Sequence, residues 1–234
     1  MAKKNITSLL TGKYKYISLG HNCYFAMFIK SVLVRQETHF FDYIGSAMWG
    51  INELFQNDFV DFFNKENFEK MEIIQNIDIN FMSNRKYYVR LLHDLKYGDF
   101  NNGFNSCMKK FLRRKERLYE ILSNTNNIIF FRFEEPMQDR IIYPEHKTKF
   151  NIPEIEHIIF FSNLIKKKFP QINFAIVFFS ISNDDYSDIN NNIITININN
   201  YIPKLTCDNP QIIFGQILLD KYDIVNDFIN NIFQ

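Results

Sequence analysis

The chain has 234 residues, 46% of them hydrophobic, with 27 Lys and Arg against 26 Asp and Glu. This is enough apolar material for one substantial core, near the upper end of what one core serves, so a single domain over 1–234 is expected. The charge balance excludes a broadly basic binder of nucleic acid or anionic membrane, and the wide spacing of the three cysteines, Cys23, Cys107 and Cys207, excludes a disulfide framework and points to a reducing, cytoplasmic setting.

In chain order, the first ten residues hold only Leu9-Leu10 as an apolar run, too little for a secretory leader. No later run approaches the ~20 apolar residues of a membrane span. Lys15 to Leu19 is a short β-rich segment stopped by Gly20, and an apolar helical pattern follows from Cys23 to about Val34. Phe40-Phe41 opens another short segment. Ser46 to Phe63 carries an apolar helical stripe (Ile51, Leu54, Phe55, Phe59, Phe62) with a break near Asn57-Asp58. Tyr87 to His93 predicts a strand ending at His93-Asp94.

Gly103 to Ser123 is the clearest helix, with Phe104, Met108, Phe111, Leu112, Leu118 and Leu122 roughly on one side. Lys109, Lys110, Arg113, Arg114 and Arg117 fall largely on the other. Asn127 to Phe133 and Asn173 to Ser180 read as buried central strands, separated by a helix from Ile155 to Phe169 that Pro170 stops. Glu134 to Pro153 is linker-like. The Ile/Thr/Asn alternation of Ile189 to Asn200 predicts an edge strand with a polar face, and Gln216 to Phe233 a last helix.

Continuous apolar strands separated by amphipathic helices predict an α/β fold of three layers, a mostly parallel sheet with helices on both faces. In such sheets reactive groups collect at the carboxyl ends of strands. Gly20 to Cys23, Phe41-Asp42, His93-Asp94 and Arg132 to Glu135 are expected there. Cys23 would sit in the first turn of its helix, where unpaired N–H groups and the helix dipole favour a thiolate. His93 as base, oriented by Asp42 or Asp94, would complete a nucleophilic triad. Gly20 and Asn22 would shape the substrate-binding turn. Arg113 or Arg117, turned toward Arg132, would hold a phosphate, carboxylate or sugar acid. No motif for a metal or an organic cofactor is present.

The series Ser18-Leu-Gly-His-Asn-Cys23, Phe41-Asp42-Tyr43, Asn57-Asp58-Phe59, His93-Asp94, Arg113-Arg114-Lys-Glu-Arg117 and Ile128-Ile-Phe-Phe-Arg132 resembles a domain-of-unknown-function family described as putative papain-like cysteine peptidases. The motif-bearing part runs from about 14 to 133. In this chain Phe40 and Tyr43 stand where the family has proline and tryptophan. The resemblance implies a thiol hydrolase with Cys23 as nucleophile, His93 as base and Asp42 or Asp94 orienting it.

Strands and helices alternate throughout, unlike the separate β-barrel-like half that holds the histidine in papain-like enzymes. A thiol esterase or acyltransferase therefore stands beside the peptidase reading. A glycan- or nucleotide-binding transferase using the arginines, and a non-catalytic interaction domain, are the further alternatives. The expected partner is a peptide or an acylated or glycan substrate, with no nucleic acid and no membrane.

Overall fold

The computed structural model describes residues 14–21, 23–33, 35, 37–74, 77–91, 100–134, 143–202 and 210–233. Strand β1 (Lys15–Ser18) leads into helix α1 (Tyr24–Val32), followed by β2 (Gly45–Ser46) and α2 (Met48–Gln56). Two short 3-10 turns precede β3 (Phe68–Ile74), β4 (Ile77–Asn84) and β5 (Val89–Leu91). The long α3 (Phe100–Asn124), β6 (Asn127–Phe133), the short α4 (Lys147–Phe150), α5 (Glu154–Lys168) and β7 (Asn173–Ser180) come next. Strands β8 (Tyr186–Asp188) and β9 (Ile193–Asn197) and helices α6 (Pro210–Asp220) and α7 (Tyr222–Phe233) close the chain.

The main sheet has the order β1-β6-β7-β9-β8, parallel except for the antiparallel edge strand β8. Its central strands are runs of β-branched and aromatic residues because both faces are covered. Alternate side chains serve two cores. Ile128 and Phe130 of β6 pack with Phe111, Ile158, Phe161 and Ile165 of α3 and α5. Ile129, Phe131 and Phe133 face Phe25 and Phe28 of α1 and Phe214 and Phe228 of α6 and α7. The three-layer α/β reading thus describes the main body.

A second, antiparallel sheet, β2-β5-β4-β3, was not legible in the sequence. It corrects the placement of two candidate segments. Of the strand expected over Tyr87 to His93, Val89–Leu91 forms β5, paired with β2 and β4 rather than with the main sheet. Phe41-Asp42 lies in a turn that leads into β2. Among the described residues of the four segments, Gly20, His21 and Cys23 and Arg132-Phe133-Glu134 stand at carboxyl ends of main-sheet strands, on the neighbours β1 and β6.

Smaller corrections have equally local causes. The Ile/Asn-rich segment is not an edge: β9 is buried between β7 and β8, and the short β8 covers its outer side. The expected linker holds a 3-10 turn at Pro144–His146 and α4. Leu112, expected in the apolar stripe of α3, is 44% exposed. No helix among the described residues is long and apolar enough to cross a membrane.

Candidate active site

The turn after β1 is built from two consecutive left-handed residues, Gly20 (φ 74°) and His21 (φ 82°). Such a backbone is natural for glycine and costs a non-glycine residue of order 1 kcal/mol, so it persists only where neighbours hold it. Here the holders are Ser46 and Arg132. The His21 backbone N–H donates to Ser46 Oγ at 3.2 Å, and Ser46 Oγ donates to the Leu19 carbonyl at 3.4 Å. Arg132 donates from Nη1 to the Leu19 carbonyl at 2.8 Å and from Nη2 to the Ser46 carbonyl at 2.8 Å. Its Nε meets Glu154 Oε1 at 2.5 Å, and the arginine is fully buried. One guanidinium thus ties β6, the β1 turn, β2 and α5 together.

The turn delivers Cys23 to the N-cap position of α1, with its carbonyl accepting the first helical bond from Met27 at 3.0 Å. The helix is seated by its apolar face: Phe25 stacks on Phe131 at 5.7 Å and packs on Phe214 at 4.4 Å. Cys23 is a half-buried thiol, and no acidic side chain occupies the first turn of α1. A thiolate there would have the positive end of the helix to itself. Cys107 forms the contrast, since it is buried in α3 and burial pushes its thiol up to about 12.

The turn Thr38 to Tyr43 leads into β2, whose Ser46 accepts the His21 backbone N–H two residues before Cys23. Asp42 is completely buried, and its Oδ2 accepts from the His39 backbone N–H at 2.6 Å and forms an ion pair with Arg35. Its Oδ1 is also buried and takes no hydrogen bond among the described residues. Arg35 also donates to the Tyr16 carbonyl at 3.0 Å and to His39 Nδ1 at 3.1 Å. Because arginine can only donate, the His39 ring must be the tautomer that accepts at Nδ1. Tyr43 follows in a left-handed conformation (φ 61°). Burial, then Asp42 and Cys23, raise its phenol, while Arg35 and Arg114 oppose that shift.

His39 has a consequence for acid stability. Burial, then the cations Arg35, Arg117 and Lys15, pull its imidazole down to about 3. An unfolded histidine titrates near 6.5, so below about pH 6.5 the unfolded chain takes up a proton that the folded chain refuses. This contribution to stability is present in full above about pH 6.5 and is lost as the pH falls toward 3, at a slope of up to ~1.4 kcal/mol per pH unit. Urea midpoints measured between about pH 6.5 and 4 are expected to fall more steeply for the natural chain than for His39→Gln; parallel acid limbs would refute this.

The basic helix divides differently from the sequence reading. Arg113 is exposed. Arg117 donates from Nη1 to the Thr38 carbonyl at 2.6 Å, and Phe111 packs on Phe40 at 5.3 Å between ring centroids. Arg132 faces Glu154 and backbone carbonyls, so it supports the turn and its donors are not available to a ligand. The expected pairing of Arg113 or Arg117 with Arg132 around an anion is not formed. His93, Asp94 and Asn22 lie outside the described residues, as does Cys207. Arg35, His39, Tyr43, Ser46 and Arg114 were not singled out as site residues. The one usable signal was the i, i+3, i+6 spacing of Phe111, Arg114 and Arg117, which places all three along one side of α3.

Residues 14–184, most of the chain, match the model of a family described as "Putative papain-like cysteine peptidase". No curated protein and no solved structure matches the chain.

Proposed function

The chain belongs to the family described as "Putative papain-like cysteine peptidase", and from this we propose that it is a hydrolase with Cys23 as its nucleophile. The observation that carries the proposal is the position of Cys23, half-buried at the start of α1 beyond the carboxyl end of β1, with no acid in that first turn. The left-handed His21 stands two positions before it, and backbone held in such regions clusters at functional sites.

In the proposed reaction the Cys23 thiolate adds to an acyl carbon. Orphan N–H groups at the start of α1 stabilise the developing oxyanion. The bond to the leaving amine or alcohol breaks as that group takes a proton from His93, leaving a thioester that water hydrolyses. Asp42 or Asp94 orients His93, and the unpaired buried Oδ1 of Asp42 supports the former. The substrate is a peptide or another acylated molecule. The open, mainly parallel sheet supports a thiol esterase or acyltransferase as a second reading of the same nucleophile.

Alkylation by iodoacetamide at about pH 6.5 tests the nucleophile. An ordinary thiol near 8.5 is ~1% ionised there, so an activated Cys23 is expected to react on the order of 10–100-fold faster than a free thiol. Cys107 should remain unlabelled because burial raises its thiol. His93→Ala is expected to remove most of the acceleration. Labelling of Cys23 at the rate of a small free thiol would end the proposal.

A further inference from the structure

We propose that Arg114 is a specificity-determining residue that reads a carboxylate on the substrate held at Cys23, so that the preferred substrates are acidic acyl compounds. This rests on the assignment of Cys23 as nucleophile and adds the substrate class.

The placement of Arg114 follows from its helix. Residues 111, 114 and 117 share one side of α3, and both outer members are pinned to the turn Thr38 to Tyr43, Phe111 through Phe40 and Arg117 through the Thr38 carbonyl. Arg114, between them, must face that turn. Its guanidinium lies over the Phe111 ring at 5.0 Å, which holds the stem in place. The same turn runs on into β2, whose Ser46 accepts the His21 backbone N–H two residues before Cys23.

What distinguishes Arg114 from its neighbours is that its donors remain available. Arg35 is bound to Asp42, the Tyr16 carbonyl and His39, and Arg117 donates to Thr38. Arg114 is half-buried and, among the described residues, makes no hydrogen bond or ion pair. A partly desolvated guanidinium with its fork of donors unused matches a planar carboxylate, which it can bind through two parallel bonds. Lys110 is pushed down to about 8 by burial and then by Arg114, and an incoming anion would stabilise both cations.

The experiment compares alkylation of Cys23 by iodoacetate, which carries a carboxylate, and by neutral iodoacetamide, with the folded chain labelled first and the Cys23 peptide then quantified by mass spectrometry after digestion. Both reagents need the same thiolate, so the ratio of their rates cancels any change in the ionisation of Cys23. The iodoacetate-to-iodoacetamide ratio at Cys23 is expected to exceed that of 2-mercaptoethanol by about tenfold. It should collapse toward the reference in Arg114→Gln and be partly retained in Arg114→Lys. Lys109→Gln, which removes the same charge from an exposed position of α3, should keep the high ratio. On the unaltered chain, millimolar glutarate should slow iodoacetamide labelling and glutaramide should not. A reference-like ratio at a rapidly labelled Cys23, an equal fall in Lys109→Gln, or equal protection by glutaramide would overturn the role of Arg114 while leaving the nucleophile standing. Slow labelling by iodoacetamide itself would overturn both.

Discussion

Replacing Arg132 by alanine is expected to cost the fold about 3–5 kcal/mol, the range found when one partner of a buried ion pair is removed. The arginine is fully buried and Glu154 nearly so. Its loss would strand the Glu154 carboxylate and withdraw donors from the Leu19 and Ser46 carbonyls at once. Against a typical total of about 5–15 kcal/mol this is a large share, and the melting temperature should fall by about 10 °C for a chain of this size. The double variant Arg132→Met/Glu154→Met should recover part of the loss, because no uncompensated charge then remains. Thermal or urea unfolding of the single variant at the midpoint of the natural chain would show that Arg132 is not the brace described above.

The second large effect is expected at Gly20, and it reads out in chemistry more than in stability. A Cβ at this position would stand 2.2 Å from Ser46 Oγ, on a backbone with φ 74°. The left-handed conformation alone costs an alanine about 1–2 kcal/mol. The hydroxyl cannot swing away cheaply, since it accepts from His21 and donates to Leu19. Gly20→Ala should therefore shift the turn that delivers Cys23. Displacement of a reacting group by about 1 Å can cost ~10²-fold in rate, so iodoacetamide labelling of Cys23 should slow by one to two orders of magnitude while the fold loses only about 1–3 kcal/mol. A destabilised Gly20→Ala protein that still labels at the natural rate would separate the turn from the reactivity of Cys23.

Both effects trace back to how much the linear chain could reveal. The central strands β6 and β7 were read to the residue because strand-length segments rich in β-branched and aromatic residues have few other folded fates. The turn before Cys23 was equally legible, since Gly20 ends a short β run and an apolar helical pattern begins three residues later. The second sheet was not. Strand β2 is two residues long, too short for alternation to register, and the segment of β5, although expected as a strand, gave no sign of its pairing with β2 and β4.

The arginines show the same division at the level of single residues. Arg113 and Arg114 are adjacent and chemically identical, and the local pattern makes both surface cations. Successive helix residues point about 100° apart, so only the docking of α3 on Phe40 and Thr38 turns Arg114 toward the turn that carries Tyr43 and leaves Arg113 in solvent. Arg132 ends an apolar strand as a ligand-binding residue would, yet its charge is met by Glu154, 22 positions later. Asp42 is likewise held by Arg35 and by the backbone of His39 in a closed knot.

The order of residues along this chain was sufficient to specify the covered parallel sheet, the long basic helix and a cysteine at the start of a helix, because each depends on interactions within a few positions or on runs of one chemical kind. The tertiary structure alone decided which charges are neutralised inside the protein and which keep their donors for a ligand. Those outcomes depend on pairings between segments far apart in sequence, where burial makes an unmatched charge costly and a matched one silent.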